Sequence, residues 1–218
     1  MRVSAVVHNE RYATARFMTD PGMAWRLCRT PVCGPLDAGY PGGDYPFMTD
    51  GFVMGPGQGQ RVSPAMTLKV GDEHSQSWSM FEVADIGPGF DVGAHLHRNA
   101  EELFYVLEGQ LDLLAFEPRV RTPGNWQSWE SYTGATVARG GPGSMMYVPR
   151  GCPHAFANPG PGPARMIFLV SPSGHEHYQK ELAELVASTT GRLDAAIAAL
   201  RARHDIEQLT PQVIPGRP

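Results

Sequence analysis

Between Ala65 and Ser171 the chain is a succession of short β-type runs separated by Gly, Pro and Asn breaks: MTLKV, SWSMFEV, FDVGAHLH, ELFYVLEG, QLDLLAF, SMMYVP, HAFAN and RMIFLVS. Runs this short, repeated at this spacing, fold into a sandwich or small barrel. The 25 Gly and 20 Pro among 218 residues exclude a mostly helical protein, because these two residues are the worst helix formers. A hydrophobic fraction of 42% is too high for a disordered chain. The expectation is one all-β domain, with its barrel core over residues 65–172.

The flanks read differently. Residues 20–65 carry PLDAGYPGGDYPF and MGPGQGQ with scattered aromatics, so residues 1–64 are expected to be an ordered, loop-rich N-terminal extension with at most one or two short strands. From His175 to Val186, Tyr178, Leu182, Leu185 and Val186 recur at helical spacing. Leu193, Ile197 and Leu200 repeat the pattern, predicting two amphipathic α-helices within 173–205 on the outside of the β domain, followed by a coil tail.

Charge and cysteine usage narrow the setting. With 18 Lys and Arg against 22 Asp and Glu, the net charge is −4, and no basic run suggests a nucleic-acid or anionic-membrane surface. Cys28, Cys33 and Cys152 are too few and odd in number for a disulfide framework, which fits a reducing compartment. MRVSAVVHNERYATARF lacks a signal-peptide core, and no stretch has the length of a membrane span. A cytoplasmic protein is expected.

The local feature richest in chemistry is His95-Leu96-His97. On a strand, residues two apart share a face, so both imidazoles can converge on one ion; a helix would splay them. The alternative is a pair of surface or hydrogen-bonded histidines.

Around this pair the sequence runs Gly89-FDVGA-His95-L-His97-RNAE-Glu102-LFYVLE-Gly109, and later Gly143-SMMYV-Pro149-R-Gly151-CP-His154-AFA-Asn158. These segments resemble the two signature motifs of the cupin superfamily, G(x)5HxH(x)3,4E(x)6G and G(x)5PxG(x)2H(x)3N, with every specified position filled. The resemblance implies a cupin jelly-roll β-barrel and one divalent metal held by His95, His97, Glu102 and His154. Glu101 competes for the carboxylate role, but the six-residue count to Gly109 selects Glu102. Strand parity then places Phe104 and Val106 on the metal side. Three imidazoles and a carboxylate suit Fe, Ni, Co, Mn, Cu or Zn, and leave about two positions open on an octahedral ion. An ion with such ligands favours an anionic oxygen such as an enolate, with Glu102 as the base that takes its proton.

Other features are weighed against this site. Gly109 fits a hairpin turn, and Pro149-Arg150-Gly151 a turn that aims His154 inward. Cys152, two residues from His154, either approaches the metal or is a small buried hydrophobe. His175-Glu176-His177 with Glu181 imitates an HxHxxxE motif but lies on a helix, so it reads as a solvated helix start. The insert between the motifs carries Trp126, Trp129 and Tyr132, either packed over the barrel edge or forming a lid that stacks on a flat substrate.

Phe104 and Phe156 are the candidate substrate-binding residues, although Phe156 fits the core equally well. The arrangement of one cupin core, a Gly/Pro-rich N-terminal extension, the Trp-containing insert and the GHEHYQKELAEL helix resembles single-domain cupins of the quercetin 2,3-dioxygenase-like group. That resemblance implies a metal-dependent dioxygenase adding O2 to an enolisable, flavonol-like or polyketide-like aromatic, working as a homodimer. The alternatives are a redox-neutral cupin isomerase, cyclase or lyase, and a non-catalytic small-molecule-binding cupin.

Overall fold

A computed structural model describes residues 51–189 and 193–215. The expectations placed on residues 1–50, including Cys28 and Cys33, lie outside these residues.

The β runs form eleven strands: β1 (Gln60–Ser63), β2 (Met66–Val70), β3 (Ser79–Ile86), β4 (His95–Leu96), β5 (Glu101–Glu108), β6 (Leu111–Ala115), β7 (Ala138–Gly140), β8 (Met145–Val148), β9 (His154–Ala157), β10 (Ala164–Ser171) and β11 (Glu207–Gln208). Two helices, α1 (His175–Ser188) and α2 (Asp194–Arg203), precede β11. One sheet has the order β1-β2-β3-β10-β5-β8 and the other β11-β4-β9-β6-β7. Every pairing is antiparallel. Strands β3 to β10 pair in nested fashion, first with last, which is jelly-roll winding.

The expected closed barrel is corrected to two open sheets facing one another. Alternation explains the arrangement: along β10, Ala164, Met166, Phe168 and Val170 point inward and the intervening residues stand at the surface. These inward rows meet Phe81, Val83, Phe104, Val106, Leu111 and Val148 in the main core. Phe81 and Phe104 both stack on Phe168, with ring centroids 4.6 and 5.6 Å away.

The FDVGAHLH run is strand only at His95–Leu96, because Gly93 breaks it with φ +73°. A Cβ at Gly93 would stand 2.5 Å from Gln208 Nε2, so the bend and the docking of β11 require each other. Gly109 turns β5 into β6 as expected, with φ +74°. Asn158, the last residue of the second motif, is a buried brace: its Nδ2 donates to the carbonyls of Ile86 and Gly162, at 2.6 and 2.9 Å.

The tail is not all coil, since β11 extends the second sheet beside β4. Among the described residues no helix is long and apolar enough to cross a membrane.

Candidate metal centre

His95 and His154 are direct register partners across β4 and β9, with ring centroids 4.2 Å apart. His97 completes the trio at 5.4 Å from each of the other two rings. Glu102, near the start of β5 in the opposite sheet, reaches across the sandwich, with Oε1 3.5 Å from His97 Nε2 and Oε2 2.8 Å from His154 Nε2. One ligand atom from each of the four residues lies within 4.8 Å of all the others. Glu101 takes the other parity of β5 and turns outward, where its carboxylate accepts from Tyr147 Oη at 2.9 Å.

The hydrogen bonding fixes the tautomers. His95 Nδ1 lies 2.9 Å from the Gly93 carbonyl, His97 Nδ1 3.0 Å from that of Asp205, and His154 Nδ1 3.1 Å from that of Cys152. A carbonyl can only accept, so each Nδ1 carries the proton and each Nε2 presents its lone pair inward. The Nε2 atoms of His97 and His154 and Oε2 of Glu102 are buried without a hydrogen-bond partner. The 2.8 Å approach of Glu102 to His154 brings two acceptors together, since the imidazole proton is on Nδ1. An orphaned buried polar atom costs about 1–3 kcal/mol, and one cation at this point relieves all three.

The electrostatics agree with such an ion. Burial, with repulsion from His154 and His97, keeps His95 neutral by lowering its pKa well below the usual range. Burial alone would raise the Glu102 pKa, but the positive charge that His154 and His97 would carry when protonated, in the absence of an ion, outweighs it and keeps the carboxyl ionised, a charge that a bound cation replaces. The donor set therefore fits a divalent metal, with neutral imidazoles and a carboxylate converging on one point.

Beside the cluster opens a cavity of about 660 Å3. His95 and Glu102 lie in its wall, with Phe104, Phe156, Phe90 and Phe168 as aromatic lining. Phe104 and Phe156, 4% and 9% exposed, serve both cavity and core. Tyr178, Leu182 and Val186 of α1 close one side, so this helix covers the cavity as well as the sandwich.

One expectation is corrected and two open alternatives are decided. The His175 helix start is not simply solvated: His175 lines the cavity with its ring 5.6 Å from that of His97, edge to face. Burial lowers its pKa to about 4. Glu176 is fully buried, accepting from Ser79 Oγ, Asp72 N and Gly174 N, while His177 stays exposed against Asp72. Glu176 and His177 meet at Asp72, while Glu181 pairs with Arg203 and His204 and His175 faces the cavity, so the four residues of the imitation motif share no single point.

The Trp insert forms no lid. Trp126 and Trp129 pack on the second sheet with Ala94, Leu114, Ala155 and Ala157, and neither lines the cavity. Cys152 does not join the metal cluster; its Sγ contacts the Pro153 carbonyl at 3.5 Å and burial raises its pKa.

Two facing antiparallel sheets in jelly-roll winding, with three imidazoles and a carboxylate converging between them, define a β-sandwich protein of the metal-site class. A model of the cupin family matches residues 57–200, well over half of the sequence, and the chain belongs to that family.

Solved structures that the chain is similar to include KdgF from Halomonas sp., at 19% identity and TM-score 0.38, covering 54% of this chain and 90% of that one. A conserved protein with a double-stranded β-helix domain from Klebsiella pneumoniae gives 17% identity and TM-score 0.37, covering 50% and 76%. Bacillus subtilis oxalate decarboxylase, studied for its Mn(II) centres, gives 19% and 0.39, covering 50% and 26%. Likenesses of this size bear on neither activity nor substrate. No curated protein sequence matches the chain.

Proposed function

We propose that the protein is a metal-dependent cupin dioxygenase that adds O2 to an enolisable aromatic small molecule. The observation that carries this reading is the opening of the His95, His97, Glu102 and His154 cluster onto a large cavity walled by phenylalanines. A cavity of about 660 Å3 has the size of small-molecule sites and suits a flat, oxygen-rich ring system.

A bound divalent ion supplies Lewis acidity toward an enolate and, if redox-active, electron transfer to O2. The chain's own residues bind, orient and move protons. Phe104 and Phe156 hold the ring system against the cluster. Glu102, in the cavity wall, takes at one carboxylate oxygen the proton that converts the enol to its enolate. His175, with Nε2 2.9 Å from Gln179 Nε2, offers a hydrogen-bonding group for a substrate oxygen beside His97. The helical cover of α1 limits water around the enolate.

The test is metal analysis of freshly purified protein, then oxygen-electrode screening of that metal form against flavonols and polyphenols. Oxygen uptake that disappears in His97→Ala is expected. No uptake across the panel overturns the oxygenase reading. Turnover that persists without O2 and with zinc instead assigns the site to redox-neutral isomerase, cyclase or lyase chemistry.

A further inference from the structure

The cavity has a second polar pole. Arg201, on α2, is the one Lys or Arg among the described residues of its wall, which is otherwise mostly apolar. Its Nη2 donates to Gln212 Oε1 at 2.7 Å and its Nε to Tyr178 Oη at 3.4 Å. Both partners are neutral, and among the described residues no carboxylate pairs with the guanidinium. Of the two acids in the same wall, Glu102 is turned to the histidines and Asp85 is exposed.

A partly buried guanidinium keeps its charge at any accessible pH and is retained in an apolar wall where an anion meets it. Gln212, held by Arg201, orients the planar fork, and its amide N–H groups are further donors for the same anion. Tyr178 joins the two poles: its ring lies 5.5 Å from His175 and its hydroxyl touches Arg201. Most of the remaining wall is apolar, from Phe, Leu, Val, Ile, Ala and Met, with Ser63, Gln179 and Gln208 as further polar residues.

We propose that the cavity binds an anionic amphiphile, a ligand with an apolar aromatic body and an acidic group that pairs with Arg201 and Gln212 while its other end faces the metal cluster. This deepens the functional reading and rests on its claim that the cavity is the substrate site. It narrows the substrate class to aromatic acids, a carboxylate or sulfonate being the group the fork recognises in two-point fashion.

The experiment uses two fluorescent probes that differ only in charge: anilinonaphthalene sulfonate and its neutral counterpart phenylnaphthylamine, titrated into the full-length protein. The sulfonate is expected to bind about tenfold tighter, as one charge-assisted contact allows. In Arg201→Met its affinity falls about tenfold while phenylnaphthylamine binding stays, which also reports an intact cavity. Gln212→Glu, which keeps Arg201 but neutralises it locally, produces the same selective loss. Equal affinities in the wild type, no saturable binding of the sulfonate, or an unchanged ratio in both variants overturns the proposal. Neither titration needs oxygen or turnover, so a failed oxygenase screen and a failed anion site are separate results.

Discussion

His97 is held by a residue 108 positions away: its Nδ1 donates to the Asp205 carbonyl at 3.0 Å, in the turn between α2 and β11. Asp205 adopts φ +56°, unusual for a residue with a side chain, and its Oδ2 also accepts from the Asn99 backbone N–H at 2.7 Å. The C-terminal turn thus orients a metal-cluster histidine, and such outer contacts are worth about 10–100-fold in metal affinity.

Asp205→Val, with a β-branched side chain at positive φ, is therefore expected to lower metal affinity about tenfold in a chelator competition. Asp205→Gly, which adopts this backbone freely, retains most of it. Both variants lose the contact to Asn99, so the difference between them isolates the carbonyl. Equal affinities in the two variants would refute the link.

Metal binding itself should be visible as stability. At a thousandfold excess over Kd, a ligand that binds only the folded state adds about 4 kcal/mol, or roughly 10 °C in Tm for a chain of this size. Chelation is expected to reverse that gain. In Glu102→Gln the gain shrinks sharply, while the metal-free variant is at least as stable as metal-free wild type, because the amide can donate to the orphaned His154 Nε2. A full metal-induced shift in Glu102→Gln would remove Glu102 from the ligand set.

The cluster was legible because spacing and parity suffice for it. His95, Glu102 and His154 fall on inward faces once the strands form, and His97, one residue past β4, joins them through the Asp205 carbonyl. What stayed hidden depends on distant pairing. β11 is two residues long and has no period to detect, and its partner β4 lies more than 100 residues earlier. His175 is hidden for a similar reason: a polar helix start looks solvated in sequence, and Ser79 and Asp72, which receive Glu176 beside it, lie 97 and 104 residues earlier. Nothing local in Arg201 distinguishes it from a surface arginine.

Glu176 gives a pH prediction. Burial opposes its ionisation, but hydrogen bonds from Ser79 Oγ and the backbone N–H groups of Asp72 and Gly174 lower its pKa from 4.5 to about 2. A folded pKa below the unfolded one stabilises above the unfolded value, and the contribution is lost as pH falls from about 4.5 toward 2. Glu176→Gln should therefore cost roughly 1–3 kcal/mol near neutrality, with the gap to wild type closing in urea titrations as pH is lowered below about 4.5. A gap independent of pH would show that packing, not charge, holds the helix start.

Trp126 belongs to the second sheet rather than to the cavity. It is 1% exposed, and its Nε1 donates to both oxygens of Asp91, at 2.8 and 2.9 Å. Asp91 bridges to both Ala157 and Val213, so the indole ties the insert to the motif strands and the tail. Trp126→Ala leaves a large void and removes the indole donor from the Asp91 carboxylate, which keeps the Gly93 N–H and Gln127 Nε2, and is expected to cost roughly 3–5 kcal/mol in chemical unfolding. The milder Trp126→Phe should lose mainly the hydrogen bond, about 1–3 kcal/mol, and leave phenylnaphthylamine affinity unchanged wherever the protein is folded. A large fall in probe affinity with stability preserved would return the insert to the role of a lid.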